Sequence, residues 1–247
     1  MTVCNVNEKD GFTLLEMVIV LAIIGTIMGF IVGGKSIIEA SERSSIISDV
    51  NNFKAGIKAF KIKYRALPGD LRNASDYWPA DCTDDAFSKC NGNFDGIINT
   101  DLATDYEGFR AWNHLSLAGM IKGSYTGTKD GGKATISVNM PGSKIEIGGY
   151  MMGSLDVYGR TEGNHIQFSS ENNNGMDGGI LNSKSAQAID DKLDDGQADA
   201  GQVFSVRGKD GGSFESGCVT SANLNAPSTY QLNIALKTCR MFFWFED

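Results

Sequence analysis

From Phe12 to Val32 the chain runs for 21 residues with a single charged side chain, Glu16. A helix needs about 20 mostly apolar residues to cross the hydrocarbon of a bilayer, so this run is long enough to span one. The carboxylate is the anomaly. A charge at membrane depth costs at least ~2.5 to 3.5 kcal/mol and demands a partner. A secretory signal would place a basic start first, then a short apolar core, then a small-residue cleavage site. Here the order is reversed, because the small residue, Gly11, precedes the apolar run. A plain signal anchor is the competing reading.

The stretch Gly11-Phe12-Thr13-Leu14-Leu15-Glu16 resembles the processing site of type IV prepilins and of the pseudopilins of type II secretion. The resemblance implies that residues 1–11 are a leader, that a prepilin peptidase cuts after Gly11, and that Phe12 becomes an N-methylated terminus. It further implies that Glu16 pairs with the terminal amine of a neighbouring subunit, which supplies the partner that the energetics require. Phe12, Leu14 and Leu15 would then join a filament core. The implied partners are like or related pilin subunits, the peptidase and methyltransferase, and an inner-membrane assembly platform. The implied location is the inner membrane, single-pass, with the head in the periplasm, and a filament or the cell surface after assembly. Glu8, Lys9 and Asp10 make the leader net acidic, a departure from the basic leaders common in the family.

Beyond Val32 the helix is expected to continue past Gly33-Gly34, a pair that weakens it by about 1 kcal/mol per glycine relative to alanine. Ile46, Val50, Phe53, Ile57, Phe60 and Tyr64 recur at spacings of four and three, which puts them on one helical face. Lys54, Lys58, Lys61, Lys63 and Arg65 fall elsewhere and are expected in water. Pro68-Gly69 marks the stop. At ~1.5 Å per residue such a helix would be roughly 80 Å long, so half spans and half supports. The expected class is α+β and pilin-like: a long N-terminal helix over 12–66, with 12–32 in the membrane, packed on an antiparallel β-sheet head over 67–247.

Within the head, Phe109, Trp112 and Leu115 give residues 106–118 an apolar helical side, with Gly119 as the stop. Strand patterns are expected at 134–140, 144–147, 164–168, 202–206 and 230–236, and a helix at 185–195 closed by Gly196. The apolar tail 241–245 is expected as a buried final strand. No repeat of 20 to 50 residues divides the head.

The net charge of −8 and pI near 4.8 argue against a nucleic-acid surface, which relies on clustered Lys and Arg. Five cysteines are present, and cleavage after Gly11 would remove Cys4. Neighbours in sequence suggest Cys82 with Cys90 and Cys218 with Cys239, although four cysteines permit three pairings. An oxidising compartment preserves such bridges.

Asn91-Gly92-Asn93-Phe94-Asp95-Gly96 matches the opening of a calcium loop, with oxygen side chains at alternate positions and Ile98 at the apolar place that follows. The bidentate glutamate position holds Leu102, so Asp101, Asp105 or Glu107 would have to substitute; an Asn/Gly-rich turn is the simpler alternative. A second acidic cluster comprises Asp190, Asp191, Asp194, Asp195 and Asp199. Asp194, Asp195 and Asp199 are its candidate calcium ligands, the other outcome being like-charge repulsion tolerated in water. His114 and His165 have no nucleophile motif beside them and read as structural. With no phosphate loop, serine elbow or zinc-protease motif, the chain reads as a structural interaction protein rather than an enzyme. A head of about 180 residues favours a minor or specialised subunit. The alternative is a membrane-anchored, calcium-dependent binding protein outside any filament.

Overall fold

A computed structural model of the chain describes residues 11–82, 90–99, 107–128, 133–145, 148–157, 160–173, 175–221 and 226–245. At 30–33, 155–157 and 160–162 it describes the backbone alone. The elements are α1 (Leu14–Tyr64), α2 (Ala74–Tyr77), α3 (Glu107–Leu117), β1 (Gly148–Val157), β2 (Arg160–Asn172), β3 (Gly175–Gly178), α4 (Ser183–Leu193), β4 (Val203–Arg207), β5 (Lys209–Asp210), β6 (Ser213–Phe214) and β7 (Cys239–Trp244). The chain divides into two units, Met1–Ser41 and Glu42–Asp247. The class is α+β: a long apolar N-terminal helix followed by an antiparallel sheet head, consistent with a pilin-like fold.

α1 is 51 residues long and passes through Gly33-Gly34 without a break. In the first unit every side chain from Phe12 to Gly29 is exposed. Thr26 carries the one hydroxyl within α1 on this stretch, and it donates to the Ile23 carbonyl at 2.8 Å, so it takes no unpaired donor into an apolar medium. The helix ends where Arg65 adopts a left-handed backbone, φ 56°, a conformation usually left to glycine at this position. Pro68 cannot continue it, and Gly69 turns at φ 88°.

In the second unit the apolar stripe of α1 meets the head. Ile46, Val50, Ile57 and Phe60 are buried, and Phe53 and Tyr64 are half-buried. Phe53 packs edge-on against Trp112 of α3 at 4.8 Å and Tyr150 of β1 at 5.1 Å, while Phe60 stacks on His114 at 6.0 Å. Burying each such side chain contributes about 1.5 to 3 kcal/mol. Lys54 departs from the expectation of a wet basic face. It is half-buried, its pKa is lowered by that burial, and the Asp194 carboxylate partly offsets the shift.

The main sheet runs β1-β2-β7-β4, all antiparallel, with β3 also paired to β2. The expected C-terminal strand is present: all six residues of β7 are buried, between β2 and β4. Strand alternation gives the sheet two apolar faces. Tyr150, Met152, Ile166, Phe168, Met241 and Phe243 join the core shared with α1. Phe204, Val206, Phe242 and Trp244 form a smaller cluster on the other face.

Two strand expectations fail. Residues 134–140 form a turn with an isolated Ile136–Met140 bridge, Ser137 standing at φ 65°. Residues 230–236 contribute only the Val219–Tyr230 bridge, after which Leu232 and Leu236 are exposed, so no buried face rewards their alternation. At 144–147 the described residues 144–145 form a bend and 146–147 lie outside the description. The strand that pairs with β2 begins instead at Gly148, whose two glycines lower strand propensity. A Cβ at Gly148 would lie 2.2 Å from Ile180 Cδ1, so close packing requires the residue that hides the strand from pattern reading.

Candidate processing, assembly and cation sites

The backbone of Gly11 to Thr13 is non-helical and α1 opens at Leu14, which makes Thr13 the N-cap. Thr13 Oγ1 accepts from the Glu16 N–H at 3.3 Å. In return Glu16 Oε2 accepts from the Thr13 N–H and from the Thr13 hydroxyl, each at 2.8 Å. This reciprocal pairing is a capping box, Thr-Leu-Leu-Glu, which satisfies two of the helix's orphan donors and holds the carboxylate near the positive end of the helix dipole. Thr13 is the residue that caps this turn, and Ser/Thr-x-x-Glu ahead of an apolar run is its local signature in the sequence. Among the described residues no other group donates to Glu16. At Gly11 a Cβ would meet nothing within 4 Å, so this fold does not itself require a glycine there. Phe12, Leu14 and Leu15 are exposed.

In the head, the 91–99 loop folds back on Asp70. Gly92 lies so close that a Cβ there would stand 2.3 Å from Asp70 Cα. Asp70 accepts the N–H groups of Asp95 at 3.1 Å and Gly96 at 2.9 Å, and burial raises its pKa. Glu107, at the start of α3, accepts from Asn93 N–H at 3.2 Å with one oxygen and from Asn99 N–H at 3.0 Å with the other. Asp95 accepts from Ile97 N–H and from the Asn93 amide, each at 2.8 Å. Asp70, Asp95 and Glu107 thus place carboxylate oxygens within 4.8 Å of one another. Asn91 is elsewhere: its amide exchanges hydrogen bonds with Ser75, at 2.9 Å to the backbone N–H and 3.0 Å to Oγ. Asp101 lies outside the described residues. Asp70 stands 25 residues before the Asp95 it serves and carries no loop pattern of its own, so its place in the cluster has no local signal in the sequence.

The second cluster gathers Asp190, Asp194 and Asp195 within the same 4.8 Å limit. Asp190 is fully buried and accepts from the Tyr230 hydroxyl at 2.7 Å and from Gly196 N–H at 3.2 Å. Burial pushes its pKa up to about 7, and neighbouring Asp195 and Asp194 add to the rise. Asp194 accepts from the Gln202 and Val203 N–H groups, Asp195 from Gln197, and Asp199 from Ser228 N–H at 2.7 Å. Asp199 therefore points to the 228 segment. Backbone donors and the nearby Lys54 ammonium relieve the repulsion that the sequence implied.

Both disulfides are formed, Cys82–Cys90 and Cys218–Cys239. The second closes a separation of 21 residues onto β7, a constraint worth about 3 kcal/mol on loop-entropy grounds. Cys4 lies outside the described residues.

His114 is built into the core. Its Nδ1 accepts from Gly69 N–H at 2.9 Å, which assigns the ring proton to Nε2, 2.8 Å from the Cys90 carbonyl. Burial lowers its pKa to about 4, against 6.5 for an ordinary histidine. The sign follows: between pH 6.5 and 4 the unfolded chain binds a proton that the folded ring refuses, so stability falls as pH falls through that window. His114→Gln removes this one titration. The stability difference between parent and variant is expected to shrink by about 1.4 kcal/mol per pH unit from pH 6.5 toward 4, read from urea midpoints at several pH values. His165 is likewise buried, its pKa lowered to about 4, with Phe242 and Trp244 packed edge-on at 5.0 Å each.

Residues 7–32 match the family model described as the prokaryotic N-terminal methylation motif. This stretch is a prepilin-type N-terminal cleavage and methylation segment. No curated protein and no solved structure matches the chain.

Proposed function

We propose that the chain is a structural subunit, minor or specialised, of a type IV pilus or type II secretion pseudopilus, processed after Gly11 and assembled through α1. The observation that carries this reading is the first turn of α1 within the methylation motif: one Glu16 oxygen is held by Thr13, at the head of a helix whose apolar side chains from Leu14 to Met28 are exposed. A single-pass membrane anchor accounts for those side chains until subunits cover them, with the head in the periplasm. A glycine that the fold does not itself need fits recognition by a processing peptidase. The role is assembly, not catalysis.

Intact mass of the chain recovered from membranes tests the processing step. The expected mass is that of residues 12–247 plus one methyl group, less the hydrogens of two disulfides. An uncut chain, or one cut after the apolar run, would overturn it.

A second reading, a tethered calcium-dependent binding protein, is favoured by the Asp70–Asp95–Glu107 cluster, whose hard oxygens suit calcium. Calcium at about 100 times its dissociation constant would add about 2.7 kcal/mol. A chelator is then expected to lower the melting temperature of the parent and not of Asp95→Ala. Equal melting with and without chelator would remove calcium from the account.

A further inference from the structure

The capping box at the head of α1 adjoins the bond that the processing reading cuts. Gly11, Phe12 and Thr13 are non-helical, and all three are exposed. The first backbone bond of α1 runs from Met17 N–H to the Thr13 carbonyl at 3.3 Å. Among the described residues nothing donates to the carbonyl of Gly11 or of Phe12.

In an α-helix each N–H bonds the carbonyl four residues earlier, so a helix begun sooner would tie Leu15 N–H to Gly11 and Glu16 N–H to Phe12. Thr13 prevents it. Its Oγ1 takes the Glu16 N–H at 3.3 Å, which removes the donor that would close the Phe12 carbonyl. Its own N–H is held by Glu16 Oε2 at 2.8 Å, which fixes the residue at the cap. With Phe12 kept outside the helix, Gly11 before it stays outside too.

An N-cap sets where a helix starts as well as how stable it is. In water a helix that loses its cap frays, and solvent takes up the freed N–H groups. Where an apolar run enters a membrane, fraying exposes further unpaired donors, and extension onto the carbonyls of Gly11 and Phe12 is the route that pairs them. Phe12 does not break helices, and Gly11 alone resists extension weakly.

Extension works against cleavage. Hydrolysis adds water to the Gly11 carbonyl carbon and breaks its bond to the Phe12 nitrogen, leaving Gly11 as a carboxylate and Phe12 as an ammonium. The carbonyl oxygen gathers negative charge on the way, and donors of the peptidase must reach it. In a helix that oxygen would already be bonded and turned along the axis.

We propose that Thr13 is a positioning residue for processing: by capping α1 it holds the Gly11–Phe12 bond outside the helix, open to the peptidase. The proposal rests on the reading of that bond as the one cut. It gives Glu16 a task in the precursor, as the partner that fixes Thr13 before any neighbouring subunit is present.

The test follows pulse-labelled full chain in membranes containing a prepilin peptidase, with intact mass to identify the new terminus. Only the membrane-inserted fraction is scored, so lost insertion does not pass for lost cutting. Thr13→Val keeps the side chain's shape and removes the cap; it is expected to be cut about fivefold more slowly, the factor that corresponds to the ~1 kcal/mol typical of an N-cap. Thr13→Ser and Thr13→Asn both cap, with different shapes, and both are expected within about twofold of the parent rate. If Thr13→Asn is as slow as Thr13→Val, the peptidase reads the side chain itself and the proposal falls. A parent that stays uncut defeats the processing reading, whereas a parent cut after Gly11 no faster than Thr13→Val defeats only the role given to the cap.

Discussion

Glu16→Ala is expected to leave the chain in the membrane while reducing its recovery in sheared filaments by roughly a hundredfold. The carboxylate has two states to compare. In an unassembled subunit at membrane depth it costs at least ~2.5 to 3.5 kcal/mol, of which the Thr13 hydrogen bonds relieve a part. In the proposed assembly, pairing the remaining oxygen with a neighbour's ammonium relieves the rest, a relief that the lone chain lacks. Alanine removes the cost and the relief together, so the subunit inserts at least as well and gains nothing by joining its neighbours. Since 1.4 kcal/mol is a factor of ten, the whole ~2.5 to 3.5 kcal/mol corresponds to roughly 60- to 300-fold, and the part that Thr13 already relieves brings the expected loss toward the lower end of that range. Quantitative blotting of membrane and sheared fractions reads both halves of the prediction, and unchanged recovery in filaments would defeat it.

Trp112→Ala is expected to destabilise the head by about 3 to 5 kcal/mol, the range for removing a fully buried aromatic. Trp112 is 0% exposed and stands where α3 meets α1, edge-on to Phe53 at 4.8 Å, with Tyr125 at 6.5 Å. Its loss opens a hole at the junction on which the docking of the α1 stripe depends. For a domain of this size 1 kcal/mol shifts the melting temperature by about 2 to 4 °C, so a drop of roughly 10 °C is expected in the full chain. Ile62→Ala is the control. Ile62 lies on the same helix but is 73% exposed, and its replacement is expected to change stability by less than about 0.5 kcal/mol.

The two substitutions mark a division in what was legible beforehand. The run opened by Glu16, the face of α1 from Ile46 to Phe60, α3, α4 and the buried tail are written in periodicities of a few residues. Thr13 belongs to the same local vocabulary, its capping box being spelled by Thr13 and Glu16 three residues apart. The misread strands failed for a different reason. Residues 230–236 alternate like a strand but meet no sheet partner beyond Tyr230, and β1 is a strand despite its glycines because β2 lies beside it. Alternation reports a chain's capacity to be half-buried, whereas pairing depends on what arrives from elsewhere.

The carboxylate clusters make the same point. Asn91, Asn93 and Asp95 look like one loop's ligand series, yet folding turns Asn91 toward Ser75 and brings Asp70 and Glu107 to Asp95. Lys54, expected in water, is drawn in toward Asp194, from a segment far along the chain.

By itself the sequence determined the anchor, the processing signal and the supporting helix, since membrane span, capping and helical amphipathicity are set by neighbours within about a turn or a bilayer's thickness. Only the tertiary structure decided the sheet order with β7 between β2 and β4 and the membership of each acidic cluster. These rest on contacts between segments tens of residues apart, whose meeting depends on loop closure and packing across the whole head and leaves no local pattern to read.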